Sequence, residues 1–226
     1  MEDLVILKNL SIFKDIPDDI IREVLTIAVE KRYKKGEIVY YQGDKGYTLD
    51  IVKQGRLKVT ILAEDGKEKT LAILSEGDII GEVSLIDDRP RSATIEALED
   101  CRLLSIRKED FEKLLLQYPK ISLEIAKVLS KRLRDADRSI EELAFYDVRT
   151  RVINILVSMG ERYGRNTPNG IEIHTKFTHQ ELADLVGSSR ETITRVLGEL
   201  QENGLINVEK NKILIIDPER LKEFKP

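Results

Sequence analysis

Seven glycines divide the stretch between about residue 33 and residue 107 into short segments, and this spacing constrains the fold more than any other feature. The segments are rich in β-branched residues and include the runs EIVYY, LKVTIL, TLAIL and CRLLSI. Short strands at this spacing are typical of a small antiparallel barrel or jelly roll. Residues 1–30, in contrast, have helical apolar spacing, with a start signal at Pro17-Asp18.

A long helix is predicted over roughly Ile121 to Phe145, because this stretch contains neither Gly nor Pro. Six apolar residues recur there at alternating steps of three and four: Ala126, Leu129, Leu133, Ala136, Ile140 and Leu143. Such a stripe forms the seam of a coiled coil between two chains, or it packs on the chain's own barrel. The charged residues that flank the stripe favour the first alternative, a homodimer.

The segment THQELADLVGSSRETITRVLGELQENGLI predicts two helices joined by a tight turn. Thr178 with Glu181, and Ser188 with Glu191, have the spacing of capping boxes, and Gly187 lies between them. The following LINVEKNKILII reads as a hairpin with a Lys-Asn-Lys tip. The unit is therefore predicted to be a winged helix-turn-helix that binds double-stranded DNA.

These patterns predict an α+β protein in three parts. Residues 1–119 form an antiparallel jelly-roll or barrel sensor domain, residues 120–146 the long dimerisation helix and a hinge, and residues 147–226 the winged helix-turn-helix. The net charge of −4 does not argue against nucleic acid, because most of the acidic excess precedes residue 148.

The segment GEVSLIDDRPRSA, residues 81–93, carries residue types that suit a sugar phosphate. Gly81 allows close approach of the backbone to a ligand. The Arg91 guanidinium suits two parallel bonds to a phosphate, and the Glu82 carboxylate suits a ribose hydroxyl. A surface turn with solvated charges is the alternative interpretation of the same residues.

This segment closely resembles the phosphate-binding cassette of cyclic-nucleotide-binding domains at Gly81, Glu82, Arg91, Ser92 and Ala93. GSSRETITRVL is similar to the recognition helix, and LAFYDVRTRV to the hinge, of the cAMP receptor protein/FNR family of bacterial transcription factors. The resemblance implies a regulator that binds a palindromic TGTGA-like site, recruits RNA polymerase and responds to a cyclic nucleotide, with cAMP favoured. The alternative is a family member that activates transcription without an effector.

The resemblance also implies which residues act. For the nucleotide they are Gly81, Glu82, Val83, Ser84, Arg91, Ser92, Ala93, Arg132, Ala136 and Asp137. For DNA they are Thr178, His179, Gln180, Ser188, Ser189, Arg190, Glu191, Thr192, Thr194, Arg195, Lys210 and Lys212. Within the second set, Arg190 and Arg195 would bond guanines, and Glu191 would accept from the amino group of cytosine.

One departure concerns Ala136-Asp137, which stands where the cAMP-responsive members have a Thr-Ser pair. Asp137 can bond an exocyclic amino group, repel the ligand or pair with a neighbouring arginine, and the sequence does not decide between these.

No permanently bound cofactor is expected. In the family that the chain resembles, the oxygen-sensing branch holds an iron–sulfur cluster with N-terminal cysteines, and residues 1–30 here contain no cysteine. The carbon-monoxide branch ligates haem through a histidine of the sensor domain, and both histidines here lie in the DNA-binding part. The single Cys101 lies in a core-like strand and is expected to pack as a small hydrophobe. The sequence shows neither a metal-ligand cluster on the barrel nor a nucleophile–base pair, so an enzyme is not expected. No apolar stretch is long enough for a membrane span, and we expect a cytoplasmic protein.

Overall fold

The computed structural model describes residues 4, 7–8, 12–13, 16–62, 68–173, 177–209 and 212–224, and of residue 162 the backbone alone. The chain divides into two compact units, residues 1–134 and 135–226. The division falls within one long helix. Antiparallel sheets, the long helix and a helix-turn-helix confirm the predicted α+β class.

The first unit is built on eight strands of its described residues, which form two four-stranded antiparallel sheets. The strands are β1 (Val29–Tyr33), β2 (Ile38–Tyr40), β3 (Thr48–Gln54), β4 (Leu57–Leu62), β5 (Glu68–Leu74), β6 (Ile79–Ile80), β7 (Thr94–Ala97) and β8 (Cys101–Arg107). One sheet has the order β1-β8-β3-β6 and the other β2-β7-β4-β5. The helices are α1 (Asp18–Ile27), α2 (Glu82–Ile86), α3 (Lys108–Gln117) and the first part of α4 (Pro119–Phe145).

Strand β3 shows how the two faces of the first sheet are used. Because side chains alternate along a strand, Leu49 and Ile51 point to one face and Val52 to the other. Leu49 and Ile51 pack with the helices, in the cluster that contains Phe111. Val52 packs between the sheets with Leu57 of β4. Each face of the sheet therefore covers its own apolar core, which is the jelly-roll arrangement predicted from the glycine spacing.

The long helix α4 carries two apolar stripes. Ile121 and Ile125 are buried in the core of the first unit, and Leu129 packs partly against the same core. Leu133 and Ile140 are 64% and 66% exposed. Ala126, Ala136 and Leu143 are exposed as well. Apart from Leu129, the predicted seam is thus left uncovered by the described residues of this chain.

The second unit has the end of α4, further helices and a four-stranded sheet of order β11-β12-β10-β9. The elements are α5 (Val148–Tyr163), β9 (Gly164–Thr167), β10 (Gly170–Ile173), α6 (His179–Val186), α7 (Arg190–Glu202), β11 (Ile206–Glu209), β12 (Lys212–Ile215) and α8 (Pro218–Glu223). The core lies between the helices and the sheet, where Leu156, Leu182 and Ile193 are buried. The helix-turn-helix and the wing hairpin are confirmed; Lys210 at the tip lies outside the described residues.

The structure differs from the expectations at two element ends. The strands begin at Val29, before the expected residue 33, because β1 pairs with β8 along its whole length. Helix α4 begins at Pro119, two residues before the predicted start at Ile121, since proline suits the first helical position.

The second predicted capping box is wrong. The cap of α7 is Ser189, whose hydroxyl accepts from the Thr192 N–H at 3.2 Å. Ser188 instead donates its backbone N–H to the Ala183 carbonyl at 2.9 Å, which helps to end α6. The first box is confirmed, with Thr178 capping Glu181 and Glu181 bonding back to Thr178.

Candidate functional site

Gly81 forms the sharp turn between β6 and α2. Its φ of 84° lies in the left-handed region, which favours glycine. A side chain here would also collide with its surroundings, because an added Cβ would lie 2.3 Å from Arg91 Nη1 and 2.7 Å from the Thr48 carbonyl oxygen. Both the backbone conformation and the close approach of Arg91 therefore require glycine at this position.

Arg91 is buried, with 5% of its surface exposed, and is held from several sides. Nη1 donates to the Gly81 carbonyl and to Ser84 Oγ, each at 2.8 Å. Nη2 donates to the Thr48 carbonyl at 2.8 Å and approaches Thr48 Oγ1 at 3.4 Å. The guanidinium carbon lies 3.7 Å from the centre of the Tyr40 ring. Nε, by contrast, has no hydrogen-bond partner among the described residues.

Glu82, the first residue of α2, is only 1% exposed. Its Oε1 accepts from Arg132 Nη1, and Arg132 Nη2 also donates to the Ile79 carbonyl at 2.6 Å. Within the described part of the chain, Oε2 finds no hydrogen-bond partner. Burial raises the pKa of Glu82, and the nearby charges of Arg132 and Arg91 oppose this shift. The carboxylate thus presents one oxygen that a ligand hydroxyl can satisfy.

These groups line one open cleft, whose empty volume is about 400 Å³ with the solvent at its mouth included. Glu82, Ser84, Arg91 and Arg132 form its polar part. Its apolar part is formed by Val59, Leu74, Ile80, Ala93 and Ile95. An anion-binding group, a free acceptor and an apolar wall in one cleft suit a ligand with a phosphate, a sugar and a base.

The structure adds Tyr40, Thr48 and Gly46 to the predicted residues. Tyr40 and Thr48 contact Arg91, and a Cβ at Gly46 would lie 2.3 Å from Ser84 Oγ. Gly46 was visible in the sequence as one of the separating glycines. Nothing in the sequence marked Tyr40 or Thr48, because they precede Arg91 by more than forty residues and carry no motif of their own.

The remaining predicted nucleotide contacts are less enclosed. Val83 and Ser92 are exposed, although both line the cleft. Ala136 and Asp137 are exposed on α4 and belong to the second compact unit, so their role stays a prediction.

Cys101 is buried, as predicted, and burial raises the pKa of its thiol. The reactive thiolate is therefore disfavoured there. The described residues contain no cluster of three or more His, Cys, Asp or Glu that can hold a metal ion. Among the helices of those same residues, none is long and apolar enough to cross a membrane.

The exposed start of α7 is the candidate DNA-reading surface. Arg190 and Arg195 are exposed, and within the described ranges their side chains make no hydrogen bond or ion pair. The pKa of the exposed Glu191 is lowered mainly by a backbone N–H at the helix start and by Ser189. It is therefore ionised and can accept a hydrogen bond from a base. The geometry leaves two guanidinium groups and one carboxylate available on the same helix.

The other residues predicted to contact DNA differ in their exposure and in how far their polar groups are already bonded within the chain. His179 Nδ1 lies 2.8 Å from Thr194 Oγ1 and joins α6 to α7. Thr178 and Gln180 are exposed at the start of α6. Lys212 is half-buried and lies 3.3 Å from Glu209 and 3.7 Å from Glu172, so its charge is partly neutralised.

Both parts of the chain match known domain families. Residues 30–118 match the cyclic nucleotide-binding domain, and residues 150–224 match the Crp-like helix-turn-helix domain. These two domains define a DNA-binding transcription regulator with a domain for a small-molecule effector. The chain belongs to the cAMP receptor protein/FNR family of transcription regulators.

Relatives cover almost the whole chain. It is similar to the cyclic AMP receptor protein of Thermus thermophilus, with 32% identity over 218 residues, 96% of this chain and 98% of that protein. A mutant of CooA from Carboxydothermus hydrogenoformans is 32% identical with a TM-score of 0.79, covering 89% of each chain. The c-di-GMP responsive regulator CLP of Xanthomonas campestris is 29% identical with a TM-score of 0.74, covering 89% of this chain and all of that one. Two of these relatives are named with different effectors, cyclic AMP and c-di-GMP.

Proposed function

We propose that this protein is a homodimeric transcription activator whose binding to DNA is controlled by a cyclic nucleotide, with cAMP as the favoured effector. The main support for this proposal is that Arg91 and Glu82 line the same cleft. Among the described residues, neither Arg91 Nε nor Glu82 Oε2 has a hydrogen-bond partner, so both atoms can bond to a ligand. The proposed DNA target is a palindrome with TGTGA-like half-sites, and the proposed protein partner is RNA polymerase. No permanent cofactor is part of the proposal.

The cleft offers a distinct role to each part of a cyclic nucleotide. The phosphate is placed against Arg91, where Nε is available and Ser84 can exchange its bond to Nη1 for one to the ligand. The ribose 2′-hydroxyl donates to Glu82 Oε2, and the base lies along the apolar wall. The phosphate and the ribose hydroxyl thus give Arg91 Nε and Glu82 Oε2 the partners that these atoms lack among the described residues. This is favourable because an unsatisfied buried polar atom is costly.

Control of DNA binding is proposed to occur by a shift in population. A ligand that binds one dimer geometry more tightly than another favours that geometry. In the binding geometry, two recognition helices α7 reach successive major grooves about 34 Å apart. The two-fold symmetry of the dimer then explains the palindrome.

A ligand-independent activator is the second candidate, and two observations favour it. The Nη groups of Arg91 bond to Gly81, Ser84 and Thr48, and one oxygen of Glu82 bonds to Arg132, so contacts within the chain already satisfy most of the polar groups of the cleft. The Ala136-Asp137 pair also departs from the pattern of the cAMP-responsive members.

Binding of labelled cAMP and cGMP to the full-length protein separates the two candidates. We expect one of them to bind, and its 2′-deoxy analogue to bind at least about tenfold more weakly, because a hydrogen bond to a charged group is lost. In Glu82→Gln the difference between the two ligands should shrink. Failure of both nucleotides to bind the wild-type protein would favour the ligand-independent activator.

The exposed stripe of α4 predicts the dimer interface. The double variant Leu133→Glu/Ile140→Glu should be monomeric in analytical ultracentrifugation, because it removes apolar burial and introduces two charges into the proposed seam. The matched control is Lys131→Glu/Arg138→Glu, at exposed positions with the same spacing on the other side of the helix. It should remain dimeric. A dimeric Leu133→Glu/Ile140→Glu variant would place the interface elsewhere.

A further inference from the structure

Asp50 is a carboxylic acid in the interior of the jelly roll, with no exposed surface. Thr48, Asp50 and Val52 share one face of β3, and Val52 packs in the core between the two sheets. Asp50 lies opposite Ser105 of β8 on one side and Ile80 of β6 on the other. A fully buried carboxylate in an apolar interior is costly to fold and calls for a physical explanation.

Asp50 is connected to the candidate anion site through one residue. Thr48 Oγ1 donates to Asp50 Oδ2 at 2.9 Å, and both the carbonyl and the hydroxyl oxygen of Thr48 face Arg91 Nη2. The Tyr40 hydroxyl lies 3.5 Å from the same Thr48 hydroxyl, while the Tyr40 ring covers the guanidinium. The carboxylate therefore lies behind Arg91, and the cleft lies in front of it.

The charges around Asp50 come from several elements. Burial raises the pKa of Asp50, and the Ser105 hydroxyl, Lys31 of β1 and Arg91 oppose that shift. Burial raises the pKa of Tyr33, on β1, and the charges of Asp50 and Glu37 add to this shift. The helices packed on β3 bring Glu82 of α2, which pairs with Arg132, and Lys108 of α3, which pairs with Asp88 and lies 3.7 Å from Glu112. The charges of Glu82 and of the exposed Asp44 also act on the Arg91 guanidinium.

We propose that Asp50, acting through the Thr48 hydroxyl, positions the Arg91 guanidinium and takes up a proton when an anion binds to that guanidinium. This inference rests on the proposed function, since the anion is taken to be the cyclic phosphate. Without an anion, the negative charges that act on Arg91 from buried positions are those of Asp50 and of Glu82, and Glu82 is also paired with Arg132. When a phosphate arrives, two anions share one guanidinium in a region of low dielectric, and the ionised form of Asp50 is disfavoured.

The competition between Asp50 and the phosphate for Arg91 determines how the affinity for the nucleotide changes with pH. An anion at Arg91 raises the pKa of Asp50 further, so the complex holds more protons than the free protein. Affinity for the nucleotide is then highest when Asp50 is protonated, and it falls by up to about tenfold per pH unit as Asp50 ionises in the free protein. The phosphodiester itself keeps its single negative charge over this range.

Calorimetry with whichever of cAMP and cGMP binds the wild type tests this directly. Titrations in two buffers of different ionisation enthalpy should show net proton uptake by the wild type that is reduced in Asp50→Asn. The Asn variant keeps an oxygen for Thr48 but carries no charge, so at about pH 8 it should bind several-fold more tightly than the wild type. Because Glu82 also titrates in the cleft, the difference between wild type and Asp50→Asn isolates the part due to Asp50.

Matched variants distinguish the effect of Asp50, acting through Thr48, from the effect of any negative charge near Arg91. Asp44→Asn removes a carboxylate that also acts on Arg91, but from an exposed position, and should keep the proton uptake. Thr48→Val keeps the β-branched shape and removes the hydroxyl, so it should weaken binding and reduce the proton uptake; Thr48→Ser should restore both. Equal proton uptake in wild type and Asp50→Asn would overturn the proposal.

A measurement without ligand distinguishes failure of this proposal from failure of the proposed function. In carbon NMR titrations of the full-length protein, the Asp50 carboxyl should titrate at higher pH in Arg91→Gln than in the wild type, and Arg91→Lys should lie between them. The same titration point in all three would show that Asp50 and Arg91 are uncoupled and would refute the inference. If neither nucleotide binds, the proposed function fails, and this titration still decides the role of Asp50.

Discussion

Arg91→Gln is expected to lower the affinity for the bound cyclic nucleotide by about a hundredfold or more. The variant removes the only positive charge proposed to contact the phosphate, and with it at least two charge-assisted hydrogen bonds of about 1.5–3 kcal/mol each. Glutamine is neutral and keeps a polar side chain at this buried position. Equilibrium binding, measured beside the wild type, gives the ratio directly.

The interpretation of this result depends on an intact fold. Arg91 is buried and bonded to β3 and to the α2 turn, so its replacement can also lower stability. Thermal unfolding and sedimentation of the variant should show a folded dimer at the temperature of the binding assay. Arg91→Lys serves as the second variant, because it keeps the charge but loses the planar fork, and it should bind with intermediate affinity. Undiminished affinity in both variants would contradict the assignment of the phosphate site.

Arg190→Ala is expected to relax sequence preference at one base pair and at its symmetry mate. Arg190 is the first residue of α7 and Arg195 lies five residues further, just over one helical turn along the groove. A bidentate contact between arginine and guanine contributes about 1–3 kcal/mol of discrimination. Randomised-site selection with wild type and variant in parallel would show lower information at that position and unchanged information elsewhere.

The matched control is a basic residue of the wing. Lys212→Ala should weaken binding to all sequences about equally and reduce the salt dependence, because a phosphate contact carries no base preference. Its effect should be modest, since Glu209 and Glu172 already lie close to this ammonium group. Recovery of the same motif with the same information by wild type and Arg190→Ala would show that Arg190 reads no base.

Local patterns in the sequence were sufficient to predict much of the architecture. The run LKVTIL is strand β4, and the Thr178–Glu181 box caps α6. Gly81 has the backbone conformation that its place in the motif requires. Each of these depends on residues within a few positions of one another, where propensity, capping and turn geometry act directly.

Ser188 and Ser189 show where local patterns stop being sufficient. Both serines offer a hydroxyl near the start of α7, and the spacing to Glu191 favoured Ser188. The structure uses Ser189, because the N–H of Ser188 is needed to end α6. The choice depends on two helix ends at once, and therefore on how α6 and α7 pack.

By itself, the sequence determined the two domain types, the segment that is proposed to bind an anion and the helix that presents Arg190 and Arg195. Only the tertiary structure decided what surrounds Arg91. Thr48 and Arg91 are 43 residues apart in the chain, and Arg132 and Glu82 are 50 apart, and these pairs meet because strands and helices from separate segments pack together. Asp50 reads in sequence as one polar residue in a strand. The pairing of β3 with β8 buries Asp50 behind Arg91, and the low dielectric there strengthens the interaction between the two charges.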